Sequence, residues 1–277
     1  MSSRPYLSTP QPWLAWIAAL LLSALQCAIA AVPPQEPRHA LVVGNAGYTS
    51  APLLNSVNDA TAVAKVLEKA GFTVDLKLNA TQKQLQDAVS VFGDRLKAGG
   101  AGLFYFAGHG VQIKGRNFLM PVGSDIKRED EVPYKAVDVQ QVLDKMETAK
   151  NRINVVILDA CRNNPMSSIA LTADGRKIKY RGQAGLANVQ APPGTLLAFS
   201  TSPGNVADDQ AGGANSLYTK HLLRHMSAPG VPLEQMFKRV RIDVLQESQQ
   251  KQTPWEQGNL TVDYCFKLGP NGQCAGL

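Results

Sequence analysis

Four apolar runs punctuate the chain: RHALVVGN (38–45), GAGLFYFAGHG (100–110), INVVILDAC (153–161) and GTLLAFSTSPG (194–204). None alternates apolar with polar positions, so each reads as a strand buried on both faces of a sheet. TVDLKL (73–78) does alternate and reads as a strand near a sheet edge. Between the runs the apolar period changes to that of a helix. Val57, Ala60, Val63, Ala64 and Leu67 mark one helix, with Asn or Ser as its cap and Gly71 beyond its end. TQKQLQDAVSVFGDRLKAGG is a second, Val137 to Ala149 a third, and SLYTKHLLRHM and PLEQMFKRVRIDVLQESQ are two more.

Strands that alternate with helices and have no polar face predict an α/β fold, a mostly parallel central sheet with helices on both faces. Ligands in such sheets bind beyond the carboxyl ends of the strands. Here those ends carry Asn45, Gly108-His109-Gly110, Asp159-Ala160-Cys161 and Ser200-Thr201-Ser202. Between Asn163 and Pro193 no element is predicted. The stretch 166–193 therefore reads as a long loop, with a basic run from Arg176 to Arg181.

The first 30 of the 277 residues do not fit this pattern. WLAWIAALLLSALQCAIA (13–30) carries no charge, follows Arg4 and ends in Ala28-Ile29-Ala30. That is the layout of a secretory signal peptide cleaved after Ala30, which leaves no stable membrane anchor. A Pro-rich leader (31–37), a domain over 38–268 and a tail (269–277) would follow. Export, to a periplasm or beyond, is the expectation. The formal net charge of +6 is scattered, without a basic stripe or interleaved aromatics, so no nucleic-acid partner is expected.

Of the four cysteines, Cys27 lies in the apolar run. Cys265 and Cys274 flank a Gly-Pro-Asn-Gly turn signal and are candidates for a disulfide in an oxidising compartment. That leaves Cys161 as an odd thiol, either a buried core group or a nucleophile. His109, between two glycines, lies 52 residues before it at the same sheet edge. A Cys–His pair is chemically complete for acyl transfer. The imidazole generates the thiolate and later protonates the leaving amine. The backbone N–H groups of Gly110 and Cys161 are candidate oxyanion donors. His221 and His225, four apart on one helix, lack a third ligand and are taken as helix-surface residues, so no metal site is expected. A thiol oxidoreductase would need a C-x-x-C pair that the chain lacks.

A strand ending in G-H-G, followed about 50 residues on by one ending in Asp159-Ala160-Cys161-Arg162-Asn163, resembles the caspase clan of cysteine peptidases. Asp before Ala-Cys, the LLNSVNDA segment and the later SPGNVADD, NSLYT and QTPWE segments are similar to metacaspases and bacterial caspase-like proteins. Ala107 and Ser56 stand where metacaspases often have Ser and Cys. The resemblance covers residues 38 to about 266 and implies a caspase-like fold. It makes His109 and Cys161 the catalytic dyad and puts Asp59 and Asp159 in the pocket for the residue before the scissile bond. Two carboxylates there suit Lys or Arg rather than Asp, so the expected partners are proteins or peptides with a basic residue at the cut. A protease of that specificity could process its own Arg176–Arg181 run. No cofactor is implied. Calcium activation occurs in some metacaspases, and Asp208-Asp209 is too little to make a site. The competing reading is a catalytically silent caspase-like module that binds a partner.

Overall fold

The computed structural model describes residues 36–161, with the backbone alone at Cys161, and residues 186–187, 189–202 and 213–274. Residues 1–35, which include the apolar 13–30 run, Arg176–Arg181, most of the 166–193 stretch, Asp208-Asp209 and the last three residues lie outside them.

Strands β1 (Arg38–Gly44), β2 (Thr73–Leu78), β3 (Ala101–Ile113), β6 (Ile153–Cys161), β7 (Thr195–Phe199) and β8 (Trp255–Gly258) lie in the order β2-β1-β3-β6-β7-β8. All pairs in this path are parallel except β7–β8. The four apolar runs occupy the centre, and the alternating run, β2, sits at one edge. Successive residues of the central strands divide between two cores. Val42, Leu103, Tyr105, Val155 and Ile157 face helices α1 (Ser56–Lys69), α4 (Leu217–Met226) and α5 (Leu233–Glu247). Val43, Phe104, Phe106, Val156 and Leu158 face α2 (Gln82–Leu96) and α3 (Val139–Ala149). A run apolar at every position is what a sheet buried on both faces demands.

Helix α1 lies very close to β1. A Cβ on Gly44 would come within 2.5 Å of the Ser56 carbonyl oxygen and 2.6 Å of the Ala60 Cβ. Gly44 thus lets the first turn of α1, which carries Asp59, sit against the end of β1. Asn45 fastens the neighbouring loops. Its fully buried amide accepts from Ala80 N (2.8 Å) and donates to Met120 O (3.1 Å).

Three elements depart from the sequence pattern. β3 continues past His109 and turns back as the hairpin strand β4 (Arg116–Leu119), which pairs with the two-residue β5 (Val137–Asp138). Val137 and Asp138 therefore belong to a strand rather than to the third helix, and Asp138 caps that helix by accepting from Gln140 N. β8 is short and polar, without the alternation that marks a strand. At the carboxyl terminus Cys265 and Cys274 are disulfide-bonded, with Cα atoms 5.8 Å apart, a normal bridging separation. Among the described residues no helix is long and apolar enough to cross a membrane.

Candidate active site

The parallel pairing of β3 and β6 runs Ala107↔Asp159, Gly108↔Ala160 and ends at His109↔Cys161. His109 and Cys161 are thus opposite each other on adjacent strands, at the carboxyl edge of the sheet. On the other flank of β3, Asn45 N donates to Ala107 O (2.9 Å) and His109 N–H donates to the Tyr48 hydroxyl (3.0 Å). His109 O accepts from Met120 N on that same flank (2.9 Å). The N–H and C=O of one strand residue share a flank and those of the next residue face the other, so the Gly110 N–H faces β6, the flank of Cys161.

His109 is 7% exposed and its ring is held on two sides. It packs on the Tyr48 ring with centroids 4.4 Å apart, and Nε2 lies 2.7 Å from Ala51 O. A carbonyl can only accept, so Nε2 carries the hydrogen and Nδ1 is left as the basic nitrogen. Tyr48 is fixed in turn, since its hydroxyl donates to Met120 O (3.0 Å). Ala51 has a left-handed backbone, φ 58°, which costs a non-glycine residue on the order of 1 kcal/mol. Gly108 is required by packing. A Cβ there would lie 2.7 Å from the Tyr48 hydroxyl and 2.8 Å from the Phe106 ring.

Asp59 and Asp159 come from α1 and β6 and are 1% and 7% exposed. The amino end of α4 joins them. Ser216, its N-cap, donates its hydroxyl to Asp159 Oδ2 (2.5 Å) and its backbone N–H to Asp59 Oδ1 (3.0 Å). Asn215 Nδ2 also donates to Asp59 Oδ1 (2.8 Å). Thr219 donates its hydroxyl to Asp159 (2.8 Å) and lies 2.7 Å from the Tyr105 hydroxyl. With the Thr219 proton given to Asp159, the phenol donates to Thr219. Burial and the Asp159 charge push Tyr105 well above the ordinary phenol range, so it stays a donor. The positive end of the α4 dipole favours negative charge at this spot. Burial, and then repulsion from Asp159, nevertheless raise the Asp59 carboxyl to about 7; the bonds from Asn215 and Ser216 only partly offset this. The two buried carboxyls thus resist carrying both charges at once.

The sequence-predicted residues therefore form two adjoining groups: the His109–Cys161 rung and, two residues back along β6, the acidic pair. Tyr48 and Ala51 were not marked by sequence; Ser216 and Thr219 fell inside the NSLYT segment but were given no role. Their contacts span 57 to 157 residues, beyond any local spacing rule. His221 and His225 require correction. His221 is buried rather than on the surface, 2.9 Å from Glu247, and His225 lies 2.7 Å from Asp243. The apolar face of α4 turns them against α5, where they join the two helices. Among the described residues no group of three or more His, Cys, Asp or Glu side chains could hold a metal ion.

Comparison with known proteins agrees with this architecture. The human mucosa-associated lymphoid tissue lymphoma translocation protein 1 is 31% identical over 134 residues, 47% of this chain and 16% of that protein. Its mouse homolog is likewise 31% identical over 134 residues, 15% of its length. The match thus spans about a sixth of these longer relatives. The crystal structure of the Drosophila initiator caspase Dronc superposes with a TM-score of 0.57 over 82% of this chain and 81% of that one. At 14% identity this shows a shared caspase-like fold. The family model for the caspase domain, peptidase C14, matches residues 37–265, and the chain belongs to that family.

Proposed function

We propose that this chain is a cysteine endopeptidase that cuts after Arg or Lys, with Cys161 as nucleophile and His109 as base. The observation that carries the reading is the His109↔Cys161 rung beside the buried pair Asp59 and Asp159. His109 Nδ1 takes the Cys161 thiol proton, and the thiolate sulfur attacks the scissile carbonyl carbon. The oxyanion is held by the N–H groups of Gly110 and Cys161. As the C–N bond breaks, the imidazolium returns its proton to the leaving amine. Water, deprotonated by His109, then hydrolyses the thioester and restores the thiol. The substrate's cationic side chain sits against Asp59 and Asp159, where a guanidinium can bond bidentately. These steps use protein groups and water, without a cofactor or calcium.

The apolar 13–30 run, together with the Cys265–Cys274 disulfide, supports export to an oxidising compartment. Arg176–Arg181 supplies a candidate self-processing site.

A cysteine-directed peptide inhibitor ending in Arg tests the reading. Mass spectrometry should place the adduct on Cys161, with excess Arg peptide protecting it and an Asp-ended inhibitor reacting far more slowly. Labelling at other cysteines, or equal labelling by both inhibitors, contradicts it. Intact masses of the wild type and Cys161→Ala test self-processing, which predicts cleavage within 176–181 in the wild type alone.

A further inference from the structure

His109 has two flanks. On one, β6 brings Cys161 into register. On the other, the loop after β1 and the segment after β4 enclose a cavity of about 300 Å³. Tyr48, Thr49, Met120, Pro121 and Ile126 line it together with the imidazole; among the described residues, neither Asp59, Asp159 nor any other residue of β6 up to Ala160 contributes. Met120 is buried and belongs to the hydrophobic cluster of Val111, Ile113 and Phe118, against which Tyr48 and Ile126 pack. The cavity therefore has an apolar floor, and Thr49 is exposed at its rim. Ser50, Ser124 and Asp125 also border it. Ser50 is exposed, the Ser124 hydroxyl donates to Pro121 O (3.0 Å), and the Asp125 carboxylate is 76% exposed and 3.1 Å from Lys127. These groups are solvated or paired, so shape and apolar contact select the occupant. The wall is preorganised, because Tyr48 is bonded to both His109 N and Met120 O. The volume falls at the small end of ordinary ligand sites.

We propose that this cavity receives an apolar side chain from the residue that follows the scissile bond. The inference rests on the peptidase reading above. Acyl transfer divides the substrate at the cut. The acyl half stays bonded to the Cys161 sulfur, with its cationic side chain at Asp59 and Asp159. The amine half departs from the side of the group that protonates it, His109. A cavity that shares the imidazole, and among the described residues neither Asp59, Asp159 nor β6 up to Ala160, faces the amine half.

Peptides with one acyl half ending in Arg, followed by Leu, Gly or Asp, test the proposal. Leu should give about tenfold higher kcat/KM than Gly, the scale of discrimination an apolar pocket achieves. Ile126→Trp, which fills the cavity, should bring the ratio towards one while preserving the preference for Arg over Asp in the acyl half. Thr49→Trp, at the exposed rim, serves the same purpose if Ile126→Trp melts early. Binding of the same fluorescent peptides to Cys161→Ala reads the preference without turnover. Turnover with equal rates for Leu and Gly overturns the cavity's role and leaves the peptidase reading intact. So does a Leu preference that survives both tryptophan variants. A Leu preference in binding, lost with Ile126→Trp but with no turnover by the wild type, supports the cavity and overturns the peptidase reading. Neither turnover nor a binding preference overturns both.

Discussion

Asp59 is the residue whose chemistry most depends on its surroundings. It was legible in sequence as a carboxylate in the first turn of a helix, where its ordinary role is to favour the helix dipole. What sequence could not give is its burial beside a second carboxylate, because Asp159 is 100 residues away and Ser216 157. The folded carboxyl is raised to about 7, chiefly by burial, whereas the unfolded one titrates near the usual value of about 4. Between those values the folded protein holds a proton that the unfolded chain releases. This contribution to stability is complete below about pH 4 and is lost as pH rises through about 7. Asp59→Asn should therefore gain stability relative to the wild type across that window, as read by melting temperature against pH. Its amide oxygen can still accept from Asn215 and Ser216. In kinetics, the KM of an Arg peptide should fall in the wild type as pH climbs through about 7 and the second charge appears. In Asp59→Asn it should be higher and flat over the same range. His109 shows the same division of information. Its place between two glycines at a strand end was readable, whereas the Tyr48 ring that holds it and the Ala51 carbonyl that fixes its tautomer arrive from a loop with no periodic signature.

At the scale of elements, the long buried strands and amphipathic helices were readable because burial on both faces, or on one stripe, leaves a period in the sequence. The antiparallel pair β4 and β5 was not, because strands of four and two residues are too short to show one. Nor was β8, whose WEQG is polar and half exposed. Helix α4 shows how an element can be placed correctly and its role misread. Its histidines bind α5 through Glu247 and Asp243, and its N-cap organises both acids. The Ser216 hydroxyl caps the helix by accepting from Thr219 N (3.1 Å) and also donates to Asp159. Ser216→Ala removes both bonds. It should cost about 1–2 kcal/mol of stability, the cost of losing a strong cap, seen as a lower denaturant midpoint. It should also raise the KM of Arg peptides more than it lowers kcat, because the Asp159 carboxylate loses a donor that holds it in place. A fall in kcat alone would argue against this role.

The whole molecule closes on itself at the amino end of β1. Arg38 donates to Ala70 O (2.7 Å) and lies over the rings of Phe72 and Tyr264, while Tyr264 and Phe266 are buried in the core beneath α5. The disulfide joins Cys265, which lies between these two residues, to Cys274 nine positions on, and closing so short a loop is worth about 2–3 kcal/mol. Replacing Cys265 and Cys274 together by Ser should lower the melting temperature by several degrees. Activity per folded molecule should stay unchanged, since the bridge takes no part in the proposed chemistry. The same substitution would show that any need for reductant concerns Cys161 alone. The central claim, that Cys161 acts with His109 on substrates chosen by Asp59 and Asp159, is tested most directly by hydrolysis of fluorogenic peptides ending in Arg or Asp under reducing conditions. The account predicts turnover of the Arg peptide at least a hundredfold above the Asp peptide by the wild type, and none by Cys161→Ala. Turnover that persists in Cys161→Ala, preference for the Asp peptide, or no turnover of either would contradict it.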